Sequence, residues 1–319
     1  MQFDRKIIKI AAADSPNVKE AERLLRENPA IPHEELLKRS KLFPGVLTYD
    51  KYLHRLATWD PAKKAAGLNA EFYEGAEVLW FPDSLLDACE KIEVDRKAGR
   101  CAMGLDAAEG GDNTAAAAVN RSGLYGLESR KTPNTDVIPG WAIALMREWN
   151  VDPIDCCLDR GGGGKQHADR MRGQGFDVRT VAFGESLMPE PRRGYTGFNE
   201  RVDQREDRYV YCDRRTEMFA EFALLLGEGN FGLPRELLNR KRADGGPSLR
   251  DQLHKIPKLI DENGRYWLPS KGTVTERMED RNIETLVKII GCSPDEADAV
   301  VLAIYGLRNP KKRSTAGVL

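Results

Sequence analysis

From Gly99 onward the chain breaks into short apolar runs separated by glycine turns, at 101–106, 114–119 and 122–128. Runs of this length and apolar content, bounded by turn residues, read as strands. Beyond them the pattern alternates: a helix near 138–149, a strand at 154–159, a helix at 165–173, a strand at 176–182 and a helix at 214–226. Three strands and then strand and helix in alternation constrain this part of the chain to a mixed sheet with helices on both faces. The first hundred residues differ in character. They hold predicted helices at 17–27, 32–42 and 49–56 and an acidic stretch at 81–96, with no internal repeat and no catalytic constellation.

Three acids sit where apolar elements end. Asp106 closes the run Cys101, Ala102, Met103, Gly104, Leu105 and stands before a turn containing Gly110 and Gly111. Asp159 closes Ile154, Asp155, Cys156, Cys157, Leu158 and is followed by Gly161 to Gly164. An apolar run ending in Asp ahead of glycines reads as a buried strand that delivers a carboxylate at its tip. The third acid opens a helix. Ser293 and Pro294 provide a cap and a first-turn proline, and Asp295, Glu296 and Asp298 precede the apolar series Val300 to Ile304. Asp298 stands three and four residues before Val301 and Leu302, on the stripe that packs inward. A buried carboxylate needs a partner, and no Lys or Arg lies between Ser293 and Gly306. Its partner is either a side chain brought by the fold or a metal ion.

Composition narrows the chemistry. Forty-nine Lys and Arg against fifty Asp and Glu leave a net charge of -1, so a nucleic-acid partner is not written into the overall charge. Basic residues are instead local, at 240–258 and in the tail after residue 307, and an arginine-rich stretch from Arg192 to Arg215 is interleaved with Tyr195, Phe198, Tyr209 and Tyr211. Cysteines at 89, 101, 156, 157, 212 and 292 form no C-x-x-C, and the four histidines no H-x-H or H-E-x-x-H. That pattern fits reduced thiols in a cytosol and argues against a disulfide framework or a histidine-based metal site. No segment approaches the roughly 18 to 20 apolar residues of a membrane span, and the N-terminus lacks the apolar core of a signal peptide.

Four blocks, in order, carry a family resemblance. They are Gly104, Leu105, Asp106, Ala107 with Gly111 to Thr114; Leu158, Asp159, Gly162, Gly164, Asp169; Asp213, Arg214, Arg215, Glu217, Met218; and Ser293, Pro294, Asp295, Ala297, Asp298, Ala299. Together they resemble the C-terminal nuclease domain of tailed-phage terminase large subunits, over about residues 100 to 307, with Leu268 to Lys271 in a hairpin region also similar. The resemblance implies an RNase H-like mixed sheet flanked by helices, and a domain that cuts concatemeric viral double-stranded DNA during genome packaging with divalent metal. Ala13 to Asn17 and the 44–56 region are more weakly similar to the segment joining motor to nuclease in such proteins. On this basis residues 1–98 are expected to be a mainly helical connector, 99–308 the nuclease domain and 309–319 a basic flexible tail.

The same resemblance implies the site. Asp106, Asp159 and Asp298 are the expected catalytic metal ligands, and Asp295 is either a supporting ligand or an acid favoured by the helix dipole. An all-oxygen cluster suits Mg²⁺ or Mn²⁺, and two such ions about 4 Å apart would relieve charge on both oxygens of a phosphodiester being hydrolysed. Lys271, Arg214, Arg215 and Lys255 are the expected DNA contacts, with Lys271 beside the metals. No G-x-x-x-x-G-K-[ST] occurs; Gly161 to Lys165 lacks both the leading glycine and the hydroxyl that would hold magnesium. The expected partners are therefore DNA, a separate or missing ATPase motor, a small terminase subunit and a portal, in the cytoplasm of a bacterial host, with neither membrane nor secretion. Another RNase H-like nuclease of the junction-resolvase type, or a non-catalytic DNA-packaging subunit, are the alternatives.

Overall fold

The computed structural model describes residues 10–59, 64, 67–70, 79–108, 110–187, 210–261 and 264–311. In chain order the principal helices are α1 (Pro16–Glu27), α2 (His33–Ser40), α3 (Tyr49–Thr58), α4 (Asp83–Glu90), α5 (Val137–Glu148), α6 (Gly164–Gly173), α7 (Arg214–Gly227), α8 (Arg235–Leu238), α9 (Leu249–Leu253), α10 (Glu276–Asp280), α11 (Leu286–Ile290) and α12 (Asp295–Arg308). The strands of the main sheet are β1 (Ala102–Asp106), β2 (Asn113–Asn120), β3 (Gly123–Lys131), β4 (Cys156–Asp159) and β5 (Arg179–Val181). The described residues divide into two compact units, a smaller one holding those up to 70 with 210, 260–261 and 264–266, and a larger one holding the sheet and α12.

In the smaller unit, α1 and α2 close on Ala21, Leu24, Ile31 and Leu36. Asn17 is fully buried and fastens the following loop: its amide nitrogen donates to the carbonyls of Phe43 (3.1 Å) and Val46 (3.3 Å), and its carbonyl oxygen accepts from the Phe43 N–H (3.0 Å). Every polar atom of this buried amide is thereby used, as burial requires.

The larger unit is built on a sheet of order β3-β2-β1-β4-β5. β1, β2 and β3 pair antiparallel, and β4 and β5 join β1 in parallel. This is the mixed sheet flanked by helices expected from the sequence. Alternation along β1 assigns its two faces. Met103 and Leu105 join Cys156 and Leu158 in a core closed by Ile138 and Ala142 of α5 and Ala168 and Met171 of α6. Gly104 faces the other way, against α12, where a Cβ would stand 2.0 Å from the Ala299 carbonyl oxygen and 2.4 Å from the Ala303 nitrogen. The run Ala115 to Ala118 in β2 is likewise fully buried. Small residues on the sheet let α12 lie directly on it.

Local boundaries move for identifiable reasons. The strand expected at 176–182 is shortened to β5, because the Phe176 N–H turns back to the Met171 carbonyl and the Val178 N–H to that of Phe176. Residues 153–155 form a 3₁₀ turn instead of opening β4. Helix α12 begins at Asp295, so Pro294, with ψ 48°, holds the capping position expected of Ser293. Its far end is closed by two guanidinium groups: Arg100 donates to the carbonyls of Gly306 and Leu307, and Arg179 to those of Gly306 and Asn309. Cations there complement the negative end of the helix.

Candidate metal centre

The parallel register of β1 and β4 places Gly104 opposite Cys157 and Leu105 opposite Leu158, so Asp106 and Asp159 end neighbouring strands side by side. Both lie two residues beyond the Gly104–Cys157 pair, on the face covered by α12. The first turn of α12 supplies Asp295 and Asp298, buried to 2% and 1% exposure. Acids at a helix N-terminus are favoured by the unpaired N–H groups there.

The Lys271 ammonium lies among three of these carboxylates. It is 2.9 Å from Asp106 Oδ2, 3.1 Å from Asp295 Oδ1 and 3.4 Å from Asp298 Oδ2. Asp298 is also held by Arg215, whose Nε and Nη2 meet Oδ1 at 3.0 and 2.8 Å while Nη2 reaches Oδ2 at 2.9 Å. The Arg215 guanidinium packs over Phe183 and Phe219. It comes from the first turn of α7, which Asp213 caps by accepting the Thr216 N–H at 2.8 Å. The fold thus brings the cations that the sequence around Asp298 lacks.

Charge in this pocket is strained towards neutrality. Burial pushes the Asp106 carboxyl up to about 7, with Lys271 opposing the rise and Asp298 and Asp295 adding to it. Asp295 is raised as well, again by burial first. Burial works against the charged form of Lys271, but Asp106, Asp298 and Asp295 outweigh it and raise the ammonium above its ordinary value. Three buried acids around one ammonium leave negative charge that protons or a further cation would relieve.

Asp159 is held differently. Its Oδ1 accepts the Phe183 N–H at 3.0 Å, and the glycines after it turn the chain back sharply, with φ 53° at Gly162 and 75° at Gly163. At Gly164 a Cβ would sit 2.0 Å from the Asp159 carbonyl oxygen. Lys165 forms an ordinary pair with Asp169 at 3.2 Å, one turn along α6. Among the expected DNA contacts, Lys271 and Arg215 are drawn into the carboxylates, Arg214 pairs with Glu217 (2.5 Å) and Glu185 (3.3 Å), and Lys255 donates to the Ile290 carbonyl (3.1 Å). Residues 192–209 of the arginine-rich stretch and 312–319 of the tail lie outside the described residues.

The structure adds residues that sequence reading did not single out. Glu296 is buried beside the site, accepting from Ser129 Oγ at 2.5 Å and from Gln252 Nε2 at 3.3 Å. Asn113 donates its backbone N–H to Asp295 Oδ2 at 3.2 Å and its side-chain amide to Asp244 at 2.8 Å. Arg242 in turn holds Asp244 through Nε and Nη2. Glu296 stood in plain view in the first turn of α12; Asn113 and Asp244 carry no local signal of their role.

Donor chemistry decides what such a centre can hold. Among the described residues no three Asp, Glu, His or Cys are spaced to hold an ion by themselves as they stand. The carboxylates converge on an ammonium instead. Every donor is a hard oxygen, and Asp295 Oδ1 is buried with the Lys271 ammonium at 3.1 Å. An oxygen in that condition suits a non-directional cation, and the set fits Mg²⁺ or Mn²⁺ rather than a softer metal.

No protein-family model and no curated protein matches the chain. Solved structures do. The nuclease domain of the large terminase subunit gp2 of bacterial virus Sf6, a K428A mutant with manganese and beta-thujaplicinol, matches at TM-score 0.49 and 16% identity, covering 71% of this chain and 98% of that one. The large terminase nuclease from thermophilic phage G20c with bound magnesium matches at TM-score 0.42 and 14% identity, over 72% and 97%. The HK97 bacteriophage large terminase matches at TM-score 0.41 and 12% identity, over 89% of this chain and 53% of that one. The solved structures to which this chain is similar thus include nuclease domains of phage large terminases.

Proposed function

We propose that the chain is a divalent-metal-dependent endonuclease of the phage-terminase type, cutting concatemeric double-stranded DNA during genome packaging. The observation that carries this reading is the convergence of Asp106, Asp295 and Asp298 on one ammonium, with Asp159 ending the adjacent strand in register. Asp106 and Asp159 from the sheet and Asp298 and Asp295 from α12 would hold Mg²⁺ or Mn²⁺. When bound, the metal supplies charge relief to a phosphodiester and lowers the pKa of an attacking water.

The protein side of the mechanism follows from the contacts. Arg215 fixes both oxygens of Asp298, so that carboxylate cannot rotate away from the strand tips. Lys271 carries a raised pKa and stays charged near neutral pH, placing a cation beside any phosphate that enters. Arg214 and Lys255 are proposed as further backbone contacts, which position DNA without reading its sequence. Residues 99–308 would form the nuclease domain and the helical residues before them a connector. A separate ATPase motor, a small terminase subunit and a portal would be the partners, in the cytoplasm of a bacterial host. No helix among the described residues is long and apolar enough to cross a membrane.

The test is plasmid cleavage by the purified chain. With Mn²⁺ or Mg²⁺ it should nick and linearise supercoiled DNA, and EDTA should stop it. Parent protein that leaves plasmid intact at millimolar Mn²⁺ sinks the reading.

A further inference from the structure

Next to the carboxylate centre lies a second cavity, of about 370 Å³, lined by Phe183, Gly184, Arg215, Trp267, Thr275 and Arg277. It shares a wall with the centre. Arg215 holds Asp298 and also lines the cavity, and Ser270, at its edge, is bonded in sequence to Lys271. A strand with one phosphate at Lys271 therefore has its adjoining nucleotide at the mouth.

The lining has the chemistry of a nucleotide. Aromatic surface comes from Phe183, and the Arg277 guanidinium packs over the buried Trp267 ring at 5.3 Å, which leaves its outer plane to the cavity. Bases stack on such rings and on guanidinium planes whatever their identity. Donors come from two arginines and the Thr275 hydroxyl, while the Ser270 hydroxyl is turned to the Thr273 carbonyl and Asp213, the carboxylate of the lining, is engaged in capping α7. Trp267 is 3% exposed with its indole N–H buried, so it forms the wall behind Arg277.

A recessed pocket of this size cannot receive a base that is still paired and stacked in a duplex. We infer that the cavity receives one unpaired nucleotide of the strand being cut, adjoining the scissile phosphate, so that cleavage favours DNA already unpaired there. This inference rests on the nuclease reading.

Gly184 provides a clean perturbation, because a Cβ there meets no atom within 4 Å and its φ is ordinary. Gly184→Leu should fold as the parent does and narrow the cavity; Arg277→Ala, checked for melting, removes the clamp over Trp267. Thymidine 5′-monophosphate titrated calorimetrically into the full chain in EDTA should bind the parent and bind both variants at least ~10-fold more weakly, the loss expected from a stacking contact. With Mn²⁺ the parent should cut a duplex bearing a central block of mismatches about 10-fold faster than a fully paired one, since unpairing costs a few kcal/mol. Both variants should lose that preference. Equal nucleotide affinity in parent and variants, or a preference that survives in them, overturns the inference while leaving the nuclease reading intact. Nucleotide binding that is weakened in the variants, with neither duplex cut by the parent, supports the cavity and overturns the nuclease reading.

Discussion

Replacing Asp106 by Asn tests the electrostatics of the centre without touching its packing. Asn resembles the protonated acid in shape, so the variant behaves as a parent frozen in its neutral form. The parent carboxyl moves from an ordinary value of 3.8 to about 7 in the folded state. Three units at ~1.4 kcal/mol each give a ceiling of about 4 kcal/mol, and partial hydration of the site sets the expected figure at about 2 to 4 kcal/mol. The sign follows from the raised value. The native state holds its proton more tightly than the unfolded chain, so this stability is present below pH ~4 and is lost as pH rises to about 7. Lys271, also raised, loses its own contribution only at alkaline pH and leaves this window unchanged. Urea unfolding in EDTA should therefore show parent and variant converging near pH 4 and the variant gaining by roughly 2 to 4 kcal/mol at pH 8. Saturating Mn²⁺ at pH 8 should reverse the order, because the ion stabilises the parent by mass action and finds one ligand fewer in the variant. A difference between the two proteins that stays constant from pH 4 to pH 8 would refute the burial of a titrating Asp106.

Lys271→Ala leaves three buried carboxylates without their shared ammonium, and in EDTA it should cost about 3 to 5 kcal/mol at pH 8 but much less at pH 5, where protons replace the lost cation; an equal loss at both pH values contradicts this. Mn²⁺ should raise the melting temperature of that variant more than that of the parent. Arg215→Lys replaces a two-pronged contact to Asp298 by a single point charge, so plasmid cleavage should fall by about 10-fold or more at unchanged Mn²⁺; parental activity would show that the Arg215–Asp298 geometry is unimportant. With no phosphate-binding loop in the sequence, the purified chain should release no phosphate from ATP in a colorimetric assay, and DNA-stimulated release would overturn that expectation.

The strand tips were legible because their signals are local. Asp106 and Asp159 each close an apolar run before glycines, and both the order of three strands and the alternation after them are written over a few dozen residues. Asp298 was legible as a problem, a carboxylate on an inward stripe, but not as a solution. Its cation comes from Arg215, 83 residues away, and its neighbour Asp106 is neutralised by Lys271, 165 residues away. Sequence periodicity says which face is buried and nothing about what arrives from elsewhere to meet it. The same reason hid Asn113 and Asp244, whose value lies entirely in their contacts. It also explains why Arg215, expected from the sequence to contact DNA, is turned inward: a buried carboxylate without a partner costs more than ordering a guanidinium beside it.

The bare contact between Gly104 and α12 has a mechanical consequence. Where side chains separate a helix from a sheet, rotamer changes act as a compliant layer that absorbs small displacements. Here the strand meets helix backbone directly, and no rotamer exists to take up slack. The distance between the tip of β1 and the first turn of α12 is then set by covalent geometry and hard-sphere contact, two residues from Asp106 on one side and one residue from Asp298 on the other. Gly104→Ala would act as a wedge of known thickness between them. Surface substitutions elsewhere should leave that gap unaltered, so the spacing of these two carboxylates is a dimension the chain holds to the tolerance of its backbone.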